Sequence, residues 1–178
     1  MTFFTRFAAS LVICSTFASS GFAQLLATDP DWKESDAPAP AALNLKDLLP
    51  FEVVKTSNLS WALDPAAVKI VGDGLVRYVA VARSTSGALN ALYEVINCSN
   101  GEVKTYARIV SKETEAAGKA WVVVADPKWI SMYDAPSKHA LALAKQGVCT
   151  GNTVAQNVNE IVTSLKKTTI IFKNKAAP

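Results

Sequence analysis

The chain has 178 residues, half of them apolar, with 18 Lys and Arg against 15 Asp and Glu. The length allows one domain with appendages and excludes a (β/α)₈ barrel; the apolar fraction excludes a chain disordered throughout. Three Cys and one His are too few for a structural zinc cluster, and the weak positive balance without a dense basic patch argues against nucleic acid as a partner. No metal and no cofactor is expected.

Met1 to Arg6 is short and carries one positive charge, Phe7 to Phe17 is apolar or small, and no further charge occurs before Asp29. Gly21-Phe22-Ala23 puts small residues three and one before a cut after Ala23. This is the three-part pattern of a secretory signal peptide over residues 1–23. The alternative is an uncleaved membrane helix, which Ser, Thr, Gly and Gln dilute. A lipidated Cys14 is disfavoured because Leu11-Val12-Ile13 offers no small residue ahead of it. Cleavage leaves Cys98 and Cys149, and an even pair in an exported chain reads as one disulfide. It would close a loop of roughly 50 residues, with a chain-entropy contribution of about 4 kcal/mol.

Residues 24–56 read as an extended arm, with Asp36-Ala37-Pro38-Ala39-Pro40-Ala41 as a Pro/Ala linker. Residues 57–173 form a single domain, and 174–178 a tail. Val68–Val71 is β-prone and ends at the tight turn Gly72-Asp73-Gly74. Strands follow over Leu75–Arg83, Ala88–Cys98 and Val103–Val110, separated by a turn at Ser84–Gly87 and by Asn100-Gly101, a type I′ hairpin signal. After a polar break, Trp121–Ala125 gives a further strand. The period then changes. Ser137 can cap a helix over Lys138–Gln146 that Gly147 ends. Asn152 or Thr153 can cap a second helix, with Val154, Val158, Ile161, Val162 and Leu165 on one face. Thr168–Phe172 reads as an edge strand. The fold class is α+β, an antiparallel β-meander of about five strands with two C-terminal helices packed on one face.

Turn lengths set register, and register sets faces. A four-residue loop at Ser84–Gly87 places Arg77 opposite Glu94 and Tyr78 opposite Tyr93. A two-residue turn at Asn100-Gly101 places Ile96 opposite Thr105. One face then collects Leu75, Val79, Val81, Leu92, Ile96, Cys98, Val103 and Ile109. A disulfide to Cys149 requires the helices to cover that face. Arg77 and Glu94 become a structural pair on it, with an acid/base or anion site as the functional alternative. The opposite face gains Tyr78, Tyr93 and Tyr106 flanked by Lys104 and Arg108, a surface suited to an envelope protein, a peptide or a glycan. Its alternative is cross-strand packing under the arm, with Trp32 as a lid. His139 reads as exposed, Trp61, Trp121 and Trp129 as core anchors, and no catalytic residue is assigned.

Ser60-Trp61-Ala62-Leu63-Asp64-Pro65, Val71-Gly72-Asp73-Gly74-Leu75-Val76-Arg77-Tyr78, Ala82-Arg83-Ser84-Thr85-Ser86-Gly87-Ala88, then Tyr93-Glu94 and Cys98 run in an order and spacing that resembles the cryptic neisserial protein family. The likeness extends more loosely through Tyr106-Ala107 and Trp121 to Cys149. It implies an exported, periplasmic protein of a Gram-negative bacterium and carries no activity. The expected function is that of a non-catalytic binding or structural component of the cell envelope, in contact with the membrane only through its leader before cleavage. The alternative is a small enzyme using carboxylates or Arg77 and Arg83 in a cleft between sheet and helices.

Overall fold

A computed structural model describes residues 32–53 and 58–176, with side chains as far as Ile171. The expected signal peptide, residues 1–23, lies outside the described residues. The chain divides into compact units after Lys33, and everything below concerns the second, Glu34–Pro178.

The sheet is an antiparallel meander in the order β1-β2-β3-β4-β5-β6, with β7 also on β5. Its long strands are β2 (Leu59–Ile70), β3 (Leu75–Ser84), β4 (Ala88–Asn97) and β5 (Glu102–Lys112). Short strands close the edges: β1 (Leu49–Phe51) on β2, and β6 (Val122–Val123) and β7 (Ile130–Ser131) on β5. The end of the expected arm therefore belongs to the sheet. Between β5 and β6 lies the short helix α1 (Glu113–Ala116).

Helix α2 (His139–Leu143) runs into a wide turn over Ala144–Val148, where Gly147, at φ +128°, leaves helical geometry. A two-stranded ribbon, β8 (Cys149–Thr150) with β9 (Thr153–Val154), leads to helix α3 (Val158–Ala176). Asn157 caps α3, accepting the Glu160 N–H at 2.9 Å, and Glu160 reaches back to the Gln156 N–H at 2.9 Å. That reciprocal pair is stronger start chemistry than Asn152 or Thr153 offers, so the helix begins later than its apolar spacing suggests. It also runs on through Thr168–Phe172, which is helix and not an edge strand. Within the helix, Thr168 and Thr169 donate their hydroxyls back to Ser164 O and Leu165 O, both at 2.9 Å.

The disulfide joins Cys98 to Cys149, with Cα atoms 5.7 Å apart. It fixes the helices to the sheet face carrying Leu92, Ile96, Cys98 and Val103, as expected. The rest of that face differs. The turn after β3 closes on Gly87, whose N–H reaches Ser84 O at 3.1 Å with φ +82°. Arg83 therefore aligns with Leu89, one residue further along than a four-residue loop would set. A one-residue slip exchanges faces along a whole strand. Val76, Tyr78, Ala80 and Ala82 lie in the core under the helices, with Leu143, Ile161 and Leu165. Val79, Val81, Leu89, Tyr93, Ala107 and Ile109 form a second core on the other side, under Leu43, Leu45 and Leu48 of the arm.

The turn after β3 is thus one residue shorter than expected, whereas the Asn100-Gly101 turn is longer than two residues. Gly101 N–H bonds Asn97 O at 3.0 Å, and Ile96 aligns with Val103 rather than with Thr105. A bulge follows in β5, where Tyr93 aligns with Ala107 but Glu94 with Thr105, leaving Tyr106 as the extra residue.

Candidate functional site

The register gives the sheet two chemically different faces. Cross-strand partners share a face, so Lys69, Arg77 and Val95 lie with Lys104 on the side covered by the arm. The β5 bulge adds Tyr106 to this side and turns Arg108 to the other. Arg108 aligns with Leu92 and is exposed there, outside the expected aromatic cluster. Tyr93 and Tyr106 do meet, with ring centroids 5.3 Å apart, and Trp121 stands edge-on to Tyr93 at 6.5 Å. Tyr78 is not with them. It lies wholly buried on the helix side.

The arm is held across this face by side chains. The Glu34 carboxylate takes the Lys104 ammonium and the Tyr106 hydroxyl. Ser35 N–H donates to Asp73 Oδ2 at 2.8 Å, while Arg77 Nη2 donates to Ser35 O at 2.5 Å and Ser35 Oγ at 3.0 Å. Further along, Trp121 Nε1 donates to Ala41 O at 2.9 Å. The Lys104 ammonium also sits over the Trp129 ring, 4.4 Å from its centroid. Trp121 and Trp129 are thus half-buried parts of this face, and only Trp61 of the three expected anchors is fully in the core. Burial pushes the Tyr93 phenol up from its ordinary value, with Arg77 nearby working the other way.

A cavity of about 110 Å³ lies between arm and sheet. Pro38 to Leu43 roof it, and Asp64, Lys69, Arg77, Val79, Tyr93 and Trp121 are in its walls.

The opposite face carries a buried polar network. Glu94, 2 % exposed, accepts hydrogen bonds from Tyr78 Oη at 2.7 Å and Thr105 Oγ1 at 2.8 Å, and its Oε2 lies 2.6 Å from His139 Nε2. His139 Nδ1 is 2.9 Å from Ser137 Oγ, and the imidazole stacks on Trp61 at 4.3 Å. With Glu94 ionised it accepts from Nε2–H, and in the neutral ring Nδ1 then accepts the Ser137 hydroxyl proton. Burial raises the Glu94 carboxyl, but His139, Tyr78 and Thr105 together override it and hold it below the ordinary carboxylate value. The same burial, with the Glu94 charge beside it, pushes Tyr78 well up.

This arrangement corrects the expected Arg77–Glu94 pair. Arg77 aligns with Val95, Glu94 with Tyr78, and the two charges point to opposite sides of the sheet. It also corrects His139, which is 5 % exposed. His139 and Leu143 are four apart on α2 and both are buried, so the imidazole lies on the inner face of its helix. Ser137, Thr105 and Trp61 complete a network that composition alone did not suggest. Among the described residues no cluster of three or more His, Cys, Asp or Glu is placed to hold a metal ion, and no helix is long and apolar enough to cross a membrane.

Comparison with protein families matches residues 27–166 to the model described as CNP1-like family. The chain belongs to the CNP1-like family. The match spans most of the arm, the whole sheet, the disulfide and the first half of α3. No curated protein and no solved structure matches the chain.

Proposed function

We propose that this member of the CNP1-like family is an exported, non-catalytic component of the cell envelope that binds an extended acidic segment across its arm-covered face. The observation that carries this reading is the double grip on Glu34, a carboxylate shared by the Lys104 ammonium and the Tyr106 hydroxyl. Arg77 and Asp73 hold the neighbouring Ser35 backbone. The arm is thus an extended segment recognised by aromatic and charged side chains, the same means by which a partner peptide is read.

Export is supported by the leader pattern in residues 1–23 and by the disulfide, a bond that persists in oxidising compartments such as the periplasm. The likeness to cryptic neisserial proteins supports a Gram-negative source. The rival reading, an enzyme working through a sheet–helix cleft, loses its constellation. Arg77 and Glu94 are on opposite faces, and Arg83 is engaged by Glu113 at 2.6 Å.

A labelled peptide with the sequence of residues 34–43 tests the reading against the full chain carrying Glu34→Ala, whose own arm has lost its anchor. Saturable binding is expected, weakened about tenfold or more when Lys104→Ala is added, as loss of a charge-assisted hydrogen bond requires. Absence of peptide binding to the Glu34→Ala chain would overturn it.

A further inference from the structure

Arg77 is 4 % exposed, yet among the described residues no carboxylate lies within ion-pair distance of its guanidinium. Its hydrogen bonds go to neutral acceptors, Ser35 O and Ser35 Oγ, and its Nε is buried without a partner. A buried cation is expensive unless an anion or a full set of acceptors meets it. Arg77 also stands in the wall of the 110 Å³ cavity beneath the arm, so the unmatched charge and the available space coincide.

The remaining walls narrow the ligand class. Pro38, Pro40, Leu43, Val79, Tyr93 and Trp121 are apolar or aromatic and suit a hydrocarbon or ring body. Asp64, 6 % exposed, lines the same cavity, and one of its oxygens accepts the Ala66 N–H at 3.0 Å. Lys69 stands in the same wall, so Asp64, Lys69 and Arg77 together carry one formal positive charge, which suits a singly charged anion over a multiply charged one. A guanidinium presents a planar fork of donors that matches a carboxylate.

We propose that the cavity beneath the arm is a binding site for a small monocarboxylate with an apolar or aromatic body, its carboxylate on Arg77. This rests on the reading of the arm-covered face as a binding surface and adds to it a small-molecule ligand.

The test uses the full-length protein and three probes of graded chemistry: benzoate, its neutral analogue benzamide, and inorganic phosphate. The readout is the Trp121 indole resonance, because that ring forms part of the wall. Benzoate is expected to shift it saturably, with benzamide and phosphate leaving it in place. Arg77→Gln should weaken benzoate at least tenfold. No saturable shift with benzoate overturns the proposal, as does an equal response to benzamide or to phosphate. The probe comparison needs only the wild-type chain, so it holds even if Arg77→Gln fails to fold. If benzoate fails while the 34–43 peptide still binds the Glu34→Ala chain, the small-molecule site falls and the binding face stands.

Discussion

Glu94 is the hub of the buried polar network beneath the helices. It is a buried carboxylate with three side-chain donors around it, so its charge is paid for only while Tyr78, Thr105 and His139 keep their places. Because its pKa is lowered in the fold, it adds stability above the ordinary carboxylate range, and that contribution drains away as pH falls through the folded value. Tyr78 works at the other end. Its raised pKa adds stability that is complete below the usual tyrosine value of about 10 and is lost as pH climbs beyond it. Replacing Glu94 with Ala leaves His139 without its partner and is expected to cost about 3–5 kcal/mol in urea denaturation. Melting temperature followed against pH should lose part of its acid limb in Glu94→Ala and part of its alkaline limb in Tyr78→Phe. An acid limb unchanged in Glu94→Ala would show that the carboxylate is not the group that titrates there. The members of this network were individually visible in the sequence, but their meeting was not. It depends on a turn one residue shorter than expected and on the four-residue spacing of His139 and Leu143, which was the one available clue that the imidazole faces inward.

At the scale of elements, what the sequence made legible was the alternation of apolar residues and the order of the strands. The meander, its long central strands and the helical ending follow from period and turn chemistry. Faces were harder, because each depends on a count. Ser84 to Gly87 contains the same turn residues whether the loop is three or four long, and only the positive φ of Gly87 in the fold decides it. The β5 bulge leaves no mark in Lys104-Thr105-Tyr106-Ala107-Arg108, yet it separates Tyr106 from Arg108. One glycine was legible as a helix end and has a further role in packing. Gly147 adopts φ +128°, and a Cβ there would stand 2.4 Å from Ser164 Cβ on α3. Backbone strain and overlap with a packed helix act together, so Gly147→Ala is expected to destabilise the protein by about 1–3 kcal/mol. Gly72, where a Cβ meets nothing within 4 Å and φ is not positive, is the control. Gly72→Ala should stay within about 0.5 kcal/mol of wild type by chemical denaturation. Equal losses at the two positions would mean that the α2–α3 junction has room to relax.

At the scale of the whole described unit, one sheet carries two coverings that are attached by different means. The helical layer is tied by a covalent bridge between Cys98 and Cys149, which are 51 residues apart in sequence, and by the core around Tyr78 and Leu143. The arm is tied by the ion pair and hydrogen bonds at Glu34 and Ser35, by Trp121 on Ala41, and by leucines on the second core. Reduction therefore acts on one covering directly. Removing a bridge over a loop of this length is expected to cost about 2–5 kcal/mol, so a denaturation midpoint should fall when reductant is added. The location of the loss is the sharper test. Amide hydrogen exchange should accelerate first in α2, the turn over Ala144–Val148 and α3, because these elements lose their covalent anchor. The amides of the arm depend on contacts across the opposite face and should respond later. Glu34→Ala should reverse that order, loosening the arm while the bridge keeps the helices protected. If reduction instead speeds exchange in both coverings together, the sheet between them transmits the loss, and the arm could not open for a ligand without loosening the helical layer as well.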